Sequence, residues 1–180
     1  MKKRSIFLLT ILLTLLFITK KCSSYEEKLL NAVKNGDRTE VKKLLDKKSN
    51  LAIRTKTNKT PLILAVQMGY NQIVKLLLQE GININKEDDS GKSALFYAVE
   101  KNNINLVQTL LFADANVDQK DNRGQTPLMI AVKNKNSKLT KILLQYGADI
   151  EKKNNYYDLT DLLKKYLKKT KRYEKNMKVS

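Results

Sequence analysis

The 180-residue chain has no His, no Trp and a single Cys, Cys22. Without His there is no imidazole base or proton shuttle, no Ser–His or Cys–His nucleophile pair and no Cys/His zinc site, and one Cys cannot form an intramolecular disulfide. Six Gly and two Pro are too few for a collagen-like or linker-rich chain, while 42% hydrophobic residues are too many for wholesale disorder. No Gly-rich phosphate loop is present. Carboxylates are the remaining candidate reagents: Glu87, Asp88 and Asp89 cluster, and Asp118 and Asp121 follow. They fall in turn-forming sequence and are expected on exposed tips, where burial cannot drive a pair of acids apart in pKa. A calcium loop opening at Asp118 is spoiled by Lys120 and lacks its closing Glu. No catalytic residue, metal site, cofactor or small-molecule substrate is therefore expected, and the chain reads as a non-enzyme.

Charge is abundant and of one sign, at +17 from 35 Lys and Arg against 18 Asp and Glu. Its location matters more than its size. Lys164, Lys165, Lys168, Lys169, Lys171, Arg172, Lys175 and Lys178 against Glu174 give the C-terminal tail +7. Lys2, Lys3, Arg4, Lys20 and Lys21 give the N-terminus +5, leaving +5 for everything between. A continuous basic groove for nucleic acid is not supported, so none is expected as partner.

At the N-terminus the basic patch precedes 13 residues, Ile6 to Ile18, interrupted only by Thr10 and Thr14. As a helix this run reaches only about 20 Å, short of the roughly 30 Å hydrocarbon core, which suits residues 1–24 to an export signal better than to a spanning helix. Three fates stay open: cleavage after Ser24 to leave Tyr25 first, lipid attachment at Cys22, or retention as an anchor. Each predicts an exported chain, in a periplasm or cell envelope.

The body repeats every 33 residues. Ala32, Ala65, Ala98 and Ala131 share this period, as do Val33, Val66, Val99 and Val132, and Leu29, Leu62, Leu95 and Leu128. The Leu pairs at 44–45, 77–78, 110–111 and 143–144 and the apolar column Leu51, Ile84, Val117 and Ile150 complete the pattern. Each period predicts two short helices and a hairpin-like connection. Thr60-Pro61 and Thr126-Pro127 supply an N-cap and a first-turn proline, and Gly36, Gly69 and Asn102 suit the left-handed residue that closes a helix. Second helices carry stripes such as Ile73, Leu76, Leu77 and Leu106, Leu110, Leu111. Lys135 and Asp114 stand where Gly is expected, which predicts weaker closures there.

The runs Thr60-Pro61-Leu62-Ile63-Leu64-Ala65 and Leu143-Leu144-Gln145-Tyr146-Gly147-Ala148-Asp149 resemble the ankyrin repeat over about residues 25 to 170. The family's His after Thr-Pro-Leu is replaced by Ile63, Phe96 and Met129, and Ser93-Ala94 once replaces Thr-Pro. The resemblance implies an all-α solenoid of stacked helix-turn-helix units: a capping repeat at 25–54, repeats at 55–87, 88–120 and 121–153, a capping helix at 154–170 and a basic tail at 171–180. It also implies a protein-binding scaffold, expected as a monomer, that meets its partner through hairpin tips and first-helix surfaces. Those positions are Lys56, Thr57, Lys59, Gln67 and Met68, then Asp89, Ser90, Lys92, Glu100 and Lys101, then Asn122, Arg123, Gln125, Lys133 and Asn134. Arg123 alone belongs to a typical hot-spot residue type, so the contact could instead centre on Tyr70 or Phe112. The alternative is an envelope-associated structural protein. Its tail, Lys164 to Lys178 with the stripe Leu159, Leu162, Leu163, Tyr166, Thr170, Tyr173 and Met177, would dock on an anionic membrane surface.

Overall fold

Residues 25–46 and 53–150 are described in the computed structural model. The helices start where the sequence provides caps. Thr60 has extended backbone and its hydroxyl accepts the Ile63 N–H at 3.0 Å, while Pro61 takes the first helical position, where an amide proton would lack a partner. Thr126, Pro127 and Met129 repeat the arrangement at 3.3 Å. The elements are α1 (25–35), α2 (Arg38–Leu45), α3 (Pro61–Met68), α4 (Asn71–Gln79), α5 (Ala94–Glu100), α6 (Ile104–Phe112), α7 (Pro127–Lys133) and α8 (Ser137–Gln145). Among the described residues there is no strand, and no helix is long and apolar enough to cross a membrane.

Each odd-numbered helix passes into the next through one left-handed residue: Gly36, Gly69, Asn102 and Lys135, with φ of +70°, +75°, +56° and +56°. Gly81, Asp114 and Gly147 close α4, α6 and α8 at +71°, +61° and +82°. Asp114 and Lys135 thus adopt the conformation a glycine would take freely, at the steric cost of a Cβ. Asp37, Asn103 and Asn136 cap α2, α6 and α8 with their side chains. Tyr70 holds the same column before α4 and caps nothing. Its ring lies instead on Gly36 of the preceding unit, where any Cβ would stand 2.9 Å from the ring.

The stack has two layers. Helices α3, α5 and α7 pack closely on one another, and α2, α4 and α6 touch less. Ala32, Ala65, Ala98 and Ala131 are buried in the odd layer and let those axes approach. Unequal spacing makes each unit a wedge, so the odd-helix face is concave. Between the layers lies one continuous core, with Leu62, Leu95 and Leu128 at its odd-helix side and Leu77, Leu110 and Leu143 opposite. Ile63, Phe96 and Met129 are all but fully buried, so apolar packing fills the place where the family carries imidazole. Leu106, Leu110 and Leu111 are buried as the stripe requires, whereas in α4 the buried set is Ile73, Val74 and Leu77, with Leu76 only half covered. Both helices bury an adjacent pair, Ile73–Val74 and Leu106–Val107, so the covered face is wider than a single row, and the column of Leu76 and Thr109 lies at its half-covered edge. Residues 1–24 with Cys22, the expected cap at 154–170 and the tail at 171–180, including Lys164 to Lys178, lie outside the described residues.

The departure from Thr-Pro has a measurable cost. Ser93 precedes α5 without a side-chain cap bond, and its hydroxyl oxygen is buried with no hydrogen-bond partner. Restoring the neighbours' chemistry with Ser93→Thr and Ala94→Pro should stabilise the stack by about 1 kcal/mol, since β-branching restricts the hydroxyl's rotamers and proline at the first position loses no bond. Urea unfolding would show a higher midpoint at unchanged slope.

Candidate functional site

The hairpin tips are built by one device used three times. Asp88 Oδ1 accepts the N–H groups of Ser90 and Lys92 at 2.9 and 3.2 Å, and the Asp88 N–H reaches the Lys92 carbonyl at 3.1 Å. Asp121 does the same for Arg123 and Gln125, at 2.9 and 2.8 Å. In the first tip Thr55 takes this role, its hydroxyl accepting the Lys59 N–H at 3.0 Å. Asp88 and Asp121 are consequently buried, against the expectation of carboxylates on exposed tips, because each folds inward to bind backbone two and four residues ahead. Neither is available as a surface reagent, and among the described residues no group of His, Cys, Asp or Glu could hold a metal ion.

Successive tips are joined. The Asp89 N–H donates to the Thr57 carbonyl at 3.4 Å, and the Asn122 N–H to the Ser90 carbonyl at 3.0 Å. Asn122 Nδ2 also donates to the Asp89 carbonyl at 2.8 Å. Gly91 leaves room for this approach, since a Cβ there would stand 2.7 Å from the Asn122 nitrogen. Behind the tips runs a second ladder. Asn85 Oδ1 accepts the Asn116 N–H at 2.8 Å and Asp118 Oδ1 the Asp149 N–H at 3.0 Å. This accounts for Asp118 in structural terms.

The residues expected to meet a partner divide by exposure. Lys56, Thr57, Met68, Asp89, Ser90, Glu100, Lys101, Asn122, Arg123, Lys133 and Asn134 are exposed, with Met68 at 51%, and Lys59, Gln67 and Lys92 are half-buried. Gln125 is only 9% exposed and drops out of the contact set, since its backbone closes the Asp121 turn and draws the residue under the tip. The amide of Asn122 is occupied by the neighbouring tip, although the residue stays exposed. Tyr70 is half-buried against Gly36. Phe112 is 84% exposed on the opposite, even-helix face, beside an open groove of about 610 Å³ that Leu78 and Tyr146 also line.

At the middle of the concave face stands Tyr97, which the sequence reading did not single out. Its hydroxyl donates to Asp88 Oδ2 at 2.5 Å, and its ring carries the Lys59 and Lys92 ammonium groups at 5.4 and 5.5 Å from the centroid. Lys59 Nζ also donates to Gln67 Oε1 at 3.2 Å, and Lys92 forms a 2.6 Å ion pair with Glu100. The available signal was the column Asn31, Leu64, Tyr97 and Ile130, in which Tyr97 is the one aromatic and, within the three full repeats, the one residue with a polar tip.

Burial, the hydrogen bond to Asp88 and the charges of Asp88 and Glu100 push the Tyr97 phenol well above its usual value near 10. Below pH 10 both folded and unfolded chains keep this proton and its stabilisation is intact. Above pH 10 the unfolded chain releases it first, so stability falls as pH rises. Tyr97→Phe should lower stability at neutral pH by about 2 kcal/mol, the scale of a hydrogen bond to a charged group, and should flatten the alkaline decline. Urea midpoints measured between pH 7 and roughly pH 11 give both effects.

No curated protein matches the chain in sequence. The family description of ankyrin repeats, in three copies, matches residues 29–121 and 86–154. The period, the caps, the two-layer stack and this match agree, and the chain belongs to the ankyrin-repeat family.

Proposed function

We propose that this chain is a non-enzymatic adaptor that binds a protein partner on its concave odd-helix face and acts outside the cytoplasm. Ankyrin repeats generally mediate protein–protein interaction, which is the coarse reading the family supports. One observation carries the finer reading. Lys56, Met68, Lys101, Arg123 and Lys133 come from neighbouring units and are exposed, and no hydrogen bond or ion pair of their side chains is described that would hold the stack. A rigid face whose side chains are not needed for folding is preorganised for a ligand. The compartment rests on the basic-then-apolar residues 2–18.

A photo-crosslinking residue placed at Met68 or Arg123 in the native cells should trap a protein, and one at Gln79 on the even-helix face should not. Arg123→Ala with Lys92→Ala should reduce the trapped product about tenfold, the scale of losing one or two contact residues, without changing far-UV circular dichroism. Trapping at Gln79 alone would place the contact on the other face.

A further inference from the structure

The concave face is electrically lopsided because its acids are turned inward. Asp88 and Asp121 are buried in the tips, which leaves Asp89 and Glu100 exposed among Lys56, Lys59, Lys92, Lys101, Arg123 and Lys133. Glu100 is committed to Lys92 at 2.6 Å. Lys59 and Arg54 are half-buried cations with no carboxylate partner among the described residues; the Arg54 guanidinium donates to the Asn58 carbonyl of its own tip at 3.3 Å, whereas Lys59 lies over the concave face. An amide oxygen at 3.2 Å and the face of Tyr97 hold its ammonium in place, and neither cancels its charge. Such a cation is positioned and partly stripped of water before any ligand arrives, so an incoming anion meets a fixed partner rather than a mobile side chain.

We propose that this face takes an extended acidic segment of the partner protein, with one carboxylate on Lys59 and others on Lys101, Arg123 or Lys133. The proposal rests on the reading that the concave face is the protein-binding one. Packed helices lie about 10 Å apart and an extended chain advances about 3.3 Å per residue, so acids three positions apart in the ligand would meet cations of successive units. A bilayer is flat and cannot follow a concave face. A polynucleotide would want exposed aromatic faces for its bases, and Tyr97, 9% exposed, offers little ring.

Fluorescence anisotropy on the full chain tests this with a labelled peptide of about twelve residues carrying Glu at every third position, which would span four units at that advance. Its Glu-to-Gln counterpart and a single-stranded oligonucleotide of equal charge serve as comparisons. Lys59→Glu and Lys75→Glu alter net charge equally, one on each face of the stack, and leave the basic tail unchanged. The expected result is binding of the acidic peptide, at least about tenfold weaker binding of the Gln peptide and of the oligonucleotide, and a loss of about tenfold with Lys59→Glu against none with Lys75→Glu. If Lys59→Glu lowers the thermal midpoint, Lys59→Gln keeps much of the length without the reversed charge and should show a smaller loss in the same direction. Equal binding of the Glu and Gln peptides, equal effects of the two charge reversals, or tighter binding of the oligonucleotide would overturn the proposal. The crosslinks separate the two readings: protein trapped at Met68 or Arg123 with no acidic preference removes this proposal alone, whereas no trapping at either position removes the docking face as well.

Discussion

A two-helix unit of this size has one apolar side and nothing of its own to cover it, and the rest of the structure follows from that deficit. Coverage comes from the next unit, so whatever fixes the angle between units fixes the whole molecule. The buried alanines at 32, 65, 98 and 131 bring the odd helices close, while the even helices stay further apart. The same small residues therefore complete the core and curve the surface. Core and concave surface are opposite sides of one packing decision.

Polar groups are arranged so that the tips hold their shape without help from a ligand. Asp88 serves two backbone N–H groups and the Tyr97 hydroxyl, tying a hairpin tip to the helix that follows it. A buried carboxylate with three donors is a structural joint rather than a chemical reagent. Turning it inward also leaves the lysines around it with fewer acids to meet, which is how a stack of modest charge presents a basic face. Residues chosen for turn geometry thereby shape the electrostatics seen by a partner.

Much of this was legible in the residues. The period of 33, the Thr-Pro starts and the glycine closures are local signals, and each appears in the fold where it was expected. Even Lys135 and Asp114 obey the column they occupy, because tertiary packing imposes the left-handed turn on residues that do not favour it. What could not be read was the direction of individual side chains. Lys59 lies over Tyr97 from another unit, and Gln125 disappears beneath a tip that periodicity alone paints as surface. Such choices depend on rotamers settled between units, and a column of aligned letters carries no rotamer. For the same reason Asp88 and Asp89, adjacent in sequence, end on opposite sides of the tip's surface, one enclosed and one exposed.

The side-chain ladder behind the tips has a further consequence. Asn85 offers its oxygen to the backbone of Asn116, and Asp118 offers its own to Asp149, so one unit always presents the acceptor and the next the donor. A joint with that fixed polarity matches wherever the preceding unit carries the Asn85 or Asp118 acceptor, a column that Ala52 occupies in the first unit. Duplication or deletion in the gene of one whole period after such an acceptor would leave matching ends at the new seam, and the length of the concave groove could be altered in evolution by whole steps without redesigning what holds it together.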